Sequence, residues 1–208
     1  MNVLTPSLSP FGAATQRYWD KRRDLFSLWD QGVQTDEEGL FSVKPERFAL
    51  ETADILPGRR ILDAFCGIGG SAIAFARRGK RVVATDVEPH RLSMARHNAR
   101  VYGVDQRIDF LHADVFTVLE RLEFDALNLD PPWGGPSYNS KAEFLWEDFA
   151  PDPTPLIEFA LARRIPFALG LPMNFSQKAI ADLPGDVRII VAQDDARSYF
   201  KTVYYRAQ

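Results

Sequence analysis

From residue 57 onward the chain keeps one rhythm: a short apolar run, a turn rich in glycine or acid, then a helical pattern. The runs fall at 60–65, 81–86, 107–111, 124–129 and 166–171. Strands that alternate with helices form a parallel sheet, because a parallel neighbour is reached only through a crossover, and the crossover helices cover both faces. Two further runs, 187–192 and 198–205, leave no room between them for a helix. They read as a hairpin, so the last strand runs antiparallel. The expected fold is α/β: a Rossmann-like, seven-stranded, mostly parallel sheet with an antiparallel last strand.

Ahead of this repeat lies a different kind of sequence. Residues 1–14 are rich in Pro, Ser and Ala and read as a loose tail. Apolar and aromatic residues among the charges of 16–29 suggest an amphipathic helix. Residues 30–39 form a polar, Gly-punctuated loop, and Pro45 opens a helix through about residue 55. Residues 1–56 are thus expected to be a tail and small helical extension, and 57–208 the sheet domain, in one compact unit. With 208 residues and a net charge of −3, the chain lacks the basic balance of proteins that grip long nucleic acids, so any such contact is local. The one cysteine, Cys66, excludes an intramolecular disulfide and a Cys-rich zinc site, fits a reducing compartment, and reads as a small buried filler. No secretory signal and no run of apolar residues long enough for a membrane span are visible. His90, His97 and His112 have no metal-ligand spacing, so no metal is expected. A cytoplasmic chain is expected, or a nuclear one if the source is eukaryotic, with a monomer favoured.

In an open α/β sheet, ligands bind beyond the carboxyl ends of the strands. Asp63-Ala64-Phe65-Cys66-Gly67-Ile68-Gly69-Gly70 occupies that place after the first strand. The loop is neither G-x-G-x-x-G, because its third glycine is displaced, nor a phosphate loop, because it has no Lys-Ser/Thr. An acid before the loop repels a pyrophosphate and suits a ligand with a cationic amino acid end. Asp86 follows about twenty residues on, where a ribose-binding carboxylate belongs, and Asp114 ends the third strand region. Each aspartate taken singly reads equally well as a cap for the next helix. Taken together with the glycines, the three point to S-adenosylmethionine.

The fourth run delivers NLDPPWGGPSY, residues 128–138, to the same edge. An exocyclic amine on a nucleobase is a poor nucleophile because its lone pair is delocalised into the ring. An acceptor that holds the amine hydrogens helps the nitrogen pyramidalise toward a methyl donor. Asp130 and the Pro131 carbonyl are candidate acceptors, and Trp133 is the candidate stacking platform. A rigid proline turn with Trp133 in the core is the structural alternative.

The Asp-Pro-Pro-aromatic run is shared by many amino-group methyltransferases of nucleic acids. Its longer form, PPWGGPSY, resembles the trimethylguanosine synthase, or RNA cap guanine-N2 methyltransferase, family. YWDKRRDLFSLWDQGVQTDEEGLFSVKPERFA (18–49), DAFCGIGG (63–70) and NARVYGV (98–104) resemble the same family in order, from Tyr18 to about Tyr205. The resemblance implies a class I methyltransferase fold whose N-terminal extension closes the active site. It implies direct methyl transfer from S-adenosylmethionine to guanine N2 in a 7-methylguanosine cap or a cap-like RNA or nucleotide. By motif, Asp63, Phe65, Gly67 and Gly69 lie along the methionine, Asp86 takes the ribose and Asp114 the adenine amino group. Phe41, Ser42 and Pro45 fold over cofactor and base, Trp133 stacks on guanine, and Tyr138 and Lys201 contact substrate. The chain departs from the pattern of the animal members at Asp130, where they carry Ser, and at Gln34 and Met173, near which they carry a basic residue and an arginine. An amino-methyltransferase for an internal base, guanine N2 or adenine N6, is the alternative enzyme. A cofactor-binding scaffold without catalysis is the non-enzymatic one, which the intact loop and acids disfavour.

Overall fold

The structure, a computed structural model, describes residues 7–194 and 198–206, so residues 1–6 of the expected tail, 195–197 and 207–208 lie outside the described residues. The strands are β1 (Arg60–Asp63), β2 (Arg81–Asp86), β3 (Ile108–His112), β4 (Ala126–Leu129), β5 (Phe167–Pro172), β6 (Asp186–Gln193) and β7 (Ser198–Arg206). They form one sheet in the order β3-β2-β1-β4-β5-β7-β6. β7 pairs antiparallel with both β5 and β6, and the remaining pairings are parallel, as the helix-less final hairpin predicts. Every residue of β4 and β5 is buried, the pattern of strands covered on both faces. Strand order reverses between β1 and β4, so their carboxyl ends flank the crevice of the sheet.

Nine α-helices are described: α1 (Gln16–Trp19), α2 (Arg22–Leu25), α3 (Glu37–Ser42), α4 (Glu46–Ile55), α5 (Gly70–Arg77), α6 (Pro89–Val101), α7 (Val115–Val118), α8 (Thr154–Ala162) and α9 (Gln177–Ala181). The single helix expected over 16–29 is not formed. In its place stand the one-turn helices α1 and α2 and a 3-10 turn at Trp29–Gln31. Trp19 and Trp29 meet edge to face with centroids 5.6 Å apart, whereas ten residues of straight helix would separate them by roughly 15 Å. Burying both indoles in one core outweighs continuing the helix. The polar loop expected to reach residue 39 also ends early, because Asp36 caps α3 by accepting from the Gly39 N–H at 2.6 Å.

The N-terminal extension shares a core with the sheet. Trp19, Phe26, Trp29, Leu40 and Leu56 form one apolar cluster with Ile61, Ile68, Phe75 and Ala95. Two residues of the NARVYGV stretch pin it there. Buried Asn98 accepts from the Gln34 N–H at 2.8 Å and donates to the carbonyls of Gln34 and Ile68. The Tyr102 hydroxyl accepts from the Leu28 N–H and donates to Glu46. Among the described residues no helix is long and apolar enough to cross a membrane.

Candidate active site

The tip of β1 carries Asp63, fully buried and in register with Asn128 of β4. Asn128 donates to Asp63 Oδ1 at 2.8 Å, while Oδ2 has no hydrogen-bond partner. Burial, reinforced by the nearby Asp130 carboxylate, pushes the Asp63 carboxyl up to about 7 against the Asn128 bond and Lys44, which favour the charge. A buried acid with an open acceptor calls for a cation. The following turn runs past it with Gly67 at φ +50, and a Cβ there would meet only open space, so the backbone leaves room for a ligand. The Gly67 N–H donates to Asp86 Oδ2 at 2.8 Å, and Asp86 Oδ1 accepts from the Glu88 N–H. Asp86 therefore anchors the glycine turn to the end of β2. Gly69, at φ +92, precedes α5 and packs against Ala95, where an added Cβ would lie 3.1 Å from the Ala95 Cβ. Phe65 is half-buried with its ring 6.3 Å from that of Phe116. Asp114 is exposed and caps α7 by accepting from the Phe116 N–H at 3.0 Å.

A cleft of about 780 Å³ opens between the N-terminal extension and the turn after β4. Phe41, Ser42 and Pro45 line one wall, and Asp130, Pro131, Trp133 and Tyr138 the other. Trp133 is half-buried, with its ring edge-on to Tyr138 at 5.1 Å, and its indole N–H has no partner. This tryptophan thus packs in part against the apolar clusters around Phe48 and Phe175 and in part lines the cleft. Asp130 lies against Gly170 of β5, where any Cβ would collide with its carboxylate. On its other side stands Lys44, whose Nζ is 3.5 Å from Asp130 Oδ2.

Lys201, expected at the substrate, is not on the cleft wall: it is 4% exposed and its ammonium donates to the Phe175 carbonyl at 2.9 Å. Strand alternation turns it to the side of the sheet where Phe175 packs. Met173 lines the cleft, but Gln34 borders a separate groove with Trp19, Trp29 and Met94. Sequence reasoning missed Lys44, Asn128 and Gly170. The signal for Lys44 was a lone cation in FSVKP, which the aromatic neighbours overshadowed. Burial, with Asp63 and Asp86 nearby, raises the Cys66 thiol, in keeping with a filler. Among the described residues no three His, Cys, Asp or Glu side chains gather as a metal site.

Asp63's open oxygen and the clear space over Gly67 fit the amino acid end of S-adenosylmethionine. A parallel sheet ending in one antiparallel strand, with an acid and glycine turn at the tip of β1, defines a class I S-adenosylmethionine-dependent methyltransferase. The chain belongs to the RNA cap guanine-N2 methyltransferase family, whose profile matches residues 58–195. It is 33% identical over 183 residues to the trimethylguanosine synthase of Schizosaccharomyces pombe, covering 83% of this chain and 76% of that protein. With the trimethylguanosine synthase of Saccharomyces cerevisiae it shares 36% identity over 133 residues, 59% of this chain but only 42% of that protein. An RNA methyltransferase from Salinibacter ruber, solved with S-adenosyl-L-homocysteine, has the same fold with a TM-score of 0.53 at 19% identity, over 78% of this chain and 89% of that one.

Proposed function

We propose that this chain methylates the exocyclic N2 of guanine in a 7-methylguanosine cap or a cap-like nucleotide. The observation that carries the reading is Trp133, half-buried on an open cleft beside Asp130 and Pro131. Bound S-adenosylmethionine supplies a methyl group already activated on a sulfonium. Asp63 takes its ammonium, the Gly67–Gly69 backbone lies along the methionine, and Asp86 receives the ribose hydroxyls. Asp114 faces the adenine amino group with the carboxylate oxygen its cap leaves over. Exposed Val87, next to Asp86, offers an apolar wall for the adenine ring.

Asp130 and the Pro131 carbonyl would hold the amine hydrogens and turn the nitrogen lone pair out of conjugation; as the N–C bond formed, the sulfonium C–S bond would break to leave a neutral thioether, and the amine proton would pass to Asp130. Alignment of the two reactants is the main service. Trp133 fixes the plane of the base, and a cationic 7-methylguanine gains from the negative face of the indole. Arg17, Lys21 and Arg47, which line the cleft, neutralise the phosphates in place of the cations missing near Gln34 and Met173.

The test is methyl transfer from labelled donor to 7-methylguanosine nucleotides, GTP and total RNA, with mass analysis of the nucleosides. N2-methylation favouring the 7-methylated nucleotides is expected. Trp133→Ala should cost roughly a hundredfold in turnover while sparing S-adenosylhomocysteine binding. Transfer confined to internal positions of total RNA, or turnover untouched by Trp133→Ala, would refute the proposal.

A further inference from the structure

Lys44 is the odd residue of the cleft. Its side chain is 3% exposed, and its Nζ has no hydrogen-bond partner. The carboxylate of Asp130, from the turn after β4, lies 3.5 Å away, an ion pair longer than a hydrogen bond. The Phe200 ring of β7 is 5.2 Å off. A buried ammonium has three donors, and leaving them unmade is costly. An acceptor carried by the substrate would satisfy them.

We propose that Lys44 donates a hydrogen bond to the ring nitrogen beside the target amine, N3 of guanine, while Asp130 accepts from the amine itself. This rests on the guanine-N2 reading above and adds the contact that sets the angle of the base. Side by side, Asp130 and Lys44 present an acceptor and a donor. The guanine amine has a lone pair at N3 on one side and an N–H at N1 on the other. The pair matches the N3 side and opposes the N1 side, so the base enters with its sugar edge toward Lys44. Adenine offers an equivalent pair through N6 and N1. The contact thus fixes orientation and leaves the choice of base to the stack. Gly170 keeps Asp130 in reach of this arrangement, since a side chain there would displace the carboxylate.

The experiment compares kcat/KM for 7-methylguanosine diphosphate and its 3-deaza analogue, in which N3 is a C–H, with product mass analysis. The wild-type chain should lose roughly ten- to a hundredfold on the analogue, the worth of a hydrogen bond to a charged group. Lys44→Met should be slowed on the parent by a similar factor and lose nothing further on the analogue. Lys44→Gln, which keeps a shorter donor, should show an intermediate penalty and serves if Lys44→Met does not fold. A wild-type chain that methylates N2 of both substrates equally overturns the proposal alone, as does a Lys44 variant that retains the full analogue penalty. A wild-type chain that leaves N2 of both unmethylated overturns the guanine-N2 reading and the proposal with it.

Discussion

At the scale of single residues, the cofactor role proposed for Asp63 predicts that binding depends on pH. Its carboxyl is raised to about 7, with burial the largest cause. Between the ordinary value near 4 and about 7, the folded chain holds a proton that the unfolded chain has released. Its contribution to stability is therefore complete below that ordinary value and is lost as pH rises through about 7. A cationic ligand demands the ionised form, so binding must expel the proton below that pH. S-adenosylhomocysteine affinity should climb by up to roughly tenfold per pH unit toward 7 and then level off. Calorimetry at pH 6 in buffers of different ionisation enthalpy should register the released proton, and Asp63→Asn should lose both the affinity and the pH dependence. Affinity that stayed flat from pH 5 to 8 would contradict the pairing. This reading was half legible in the sequence: an acid before glycines asks for a cation, but only burial and the neighbouring Asp130 carboxylate, acting against the Asn128 bond, raise it into the neutral range. Asp114 shows that a strand-end acid and a helix cap share one signature: one oxygen caps α7, and the other is left for the role proposed above.

At the scale of elements, one contact governs how the extension docks. Gly70 opens α5, and a Cβ on it would lie 2.5 Å from Val43 Cγ2. Gly70→Ala improves helix propensity and yet should destabilise the chain by about 1–3 kcal/mol through overpacking. It should also lift the Val43–Pro45 segment that carries Lys44. Thermal unfolding would report the first effect, and faster proteolysis within 30–45 with impaired methyl transfer the second. A Gly70→Ala protein as stable and as active as the parent would mean that the segment docks elsewhere. The strands and main helices were legible because each satisfies its own period over enough residues. Residues 16–29 misled because helical spacing of apolar residues also suits two single turns folded around a shared pair of tryptophans.

At the scale of the whole molecule, the shared cluster of Trp19, Phe26, Trp29 and Leu40 with Ile61 and Phe75 predicts cooperative unfolding. Tryptophan fluorescence, with Trp19 and Trp29 in the extension, and far-ultraviolet circular dichroism, dominated by the sheet and its helices, should give coincident transitions. Removing residues 1–56 should yield an insoluble or loosely packed chain that neither binds S-adenosylhomocysteine nor transfers methyl groups. Two separated transitions, or a folded and binding-competent truncation, would show that the extension is dispensable to the core.

The sequence by itself determined the class of sheet, the hairpin that reverses its last strand, and the chemistry at its edge. Periodicity and turn residues are local properties, and the Asp-Pro-Pro-Trp run carries its acid, carbonyl and aromatic within four consecutive positions. Tertiary structure decided which side chains meet across distance. It set Lys44 from the extension beside Asp130, cleared room for that carboxylate at Gly170, bonded Asn128 to Asp63, and turned Lys201 inward to Phe175. Each depends on the face a residue presents once strands pair and helices dock. A one-residue change of register would reverse that face while leaving the local pattern intact.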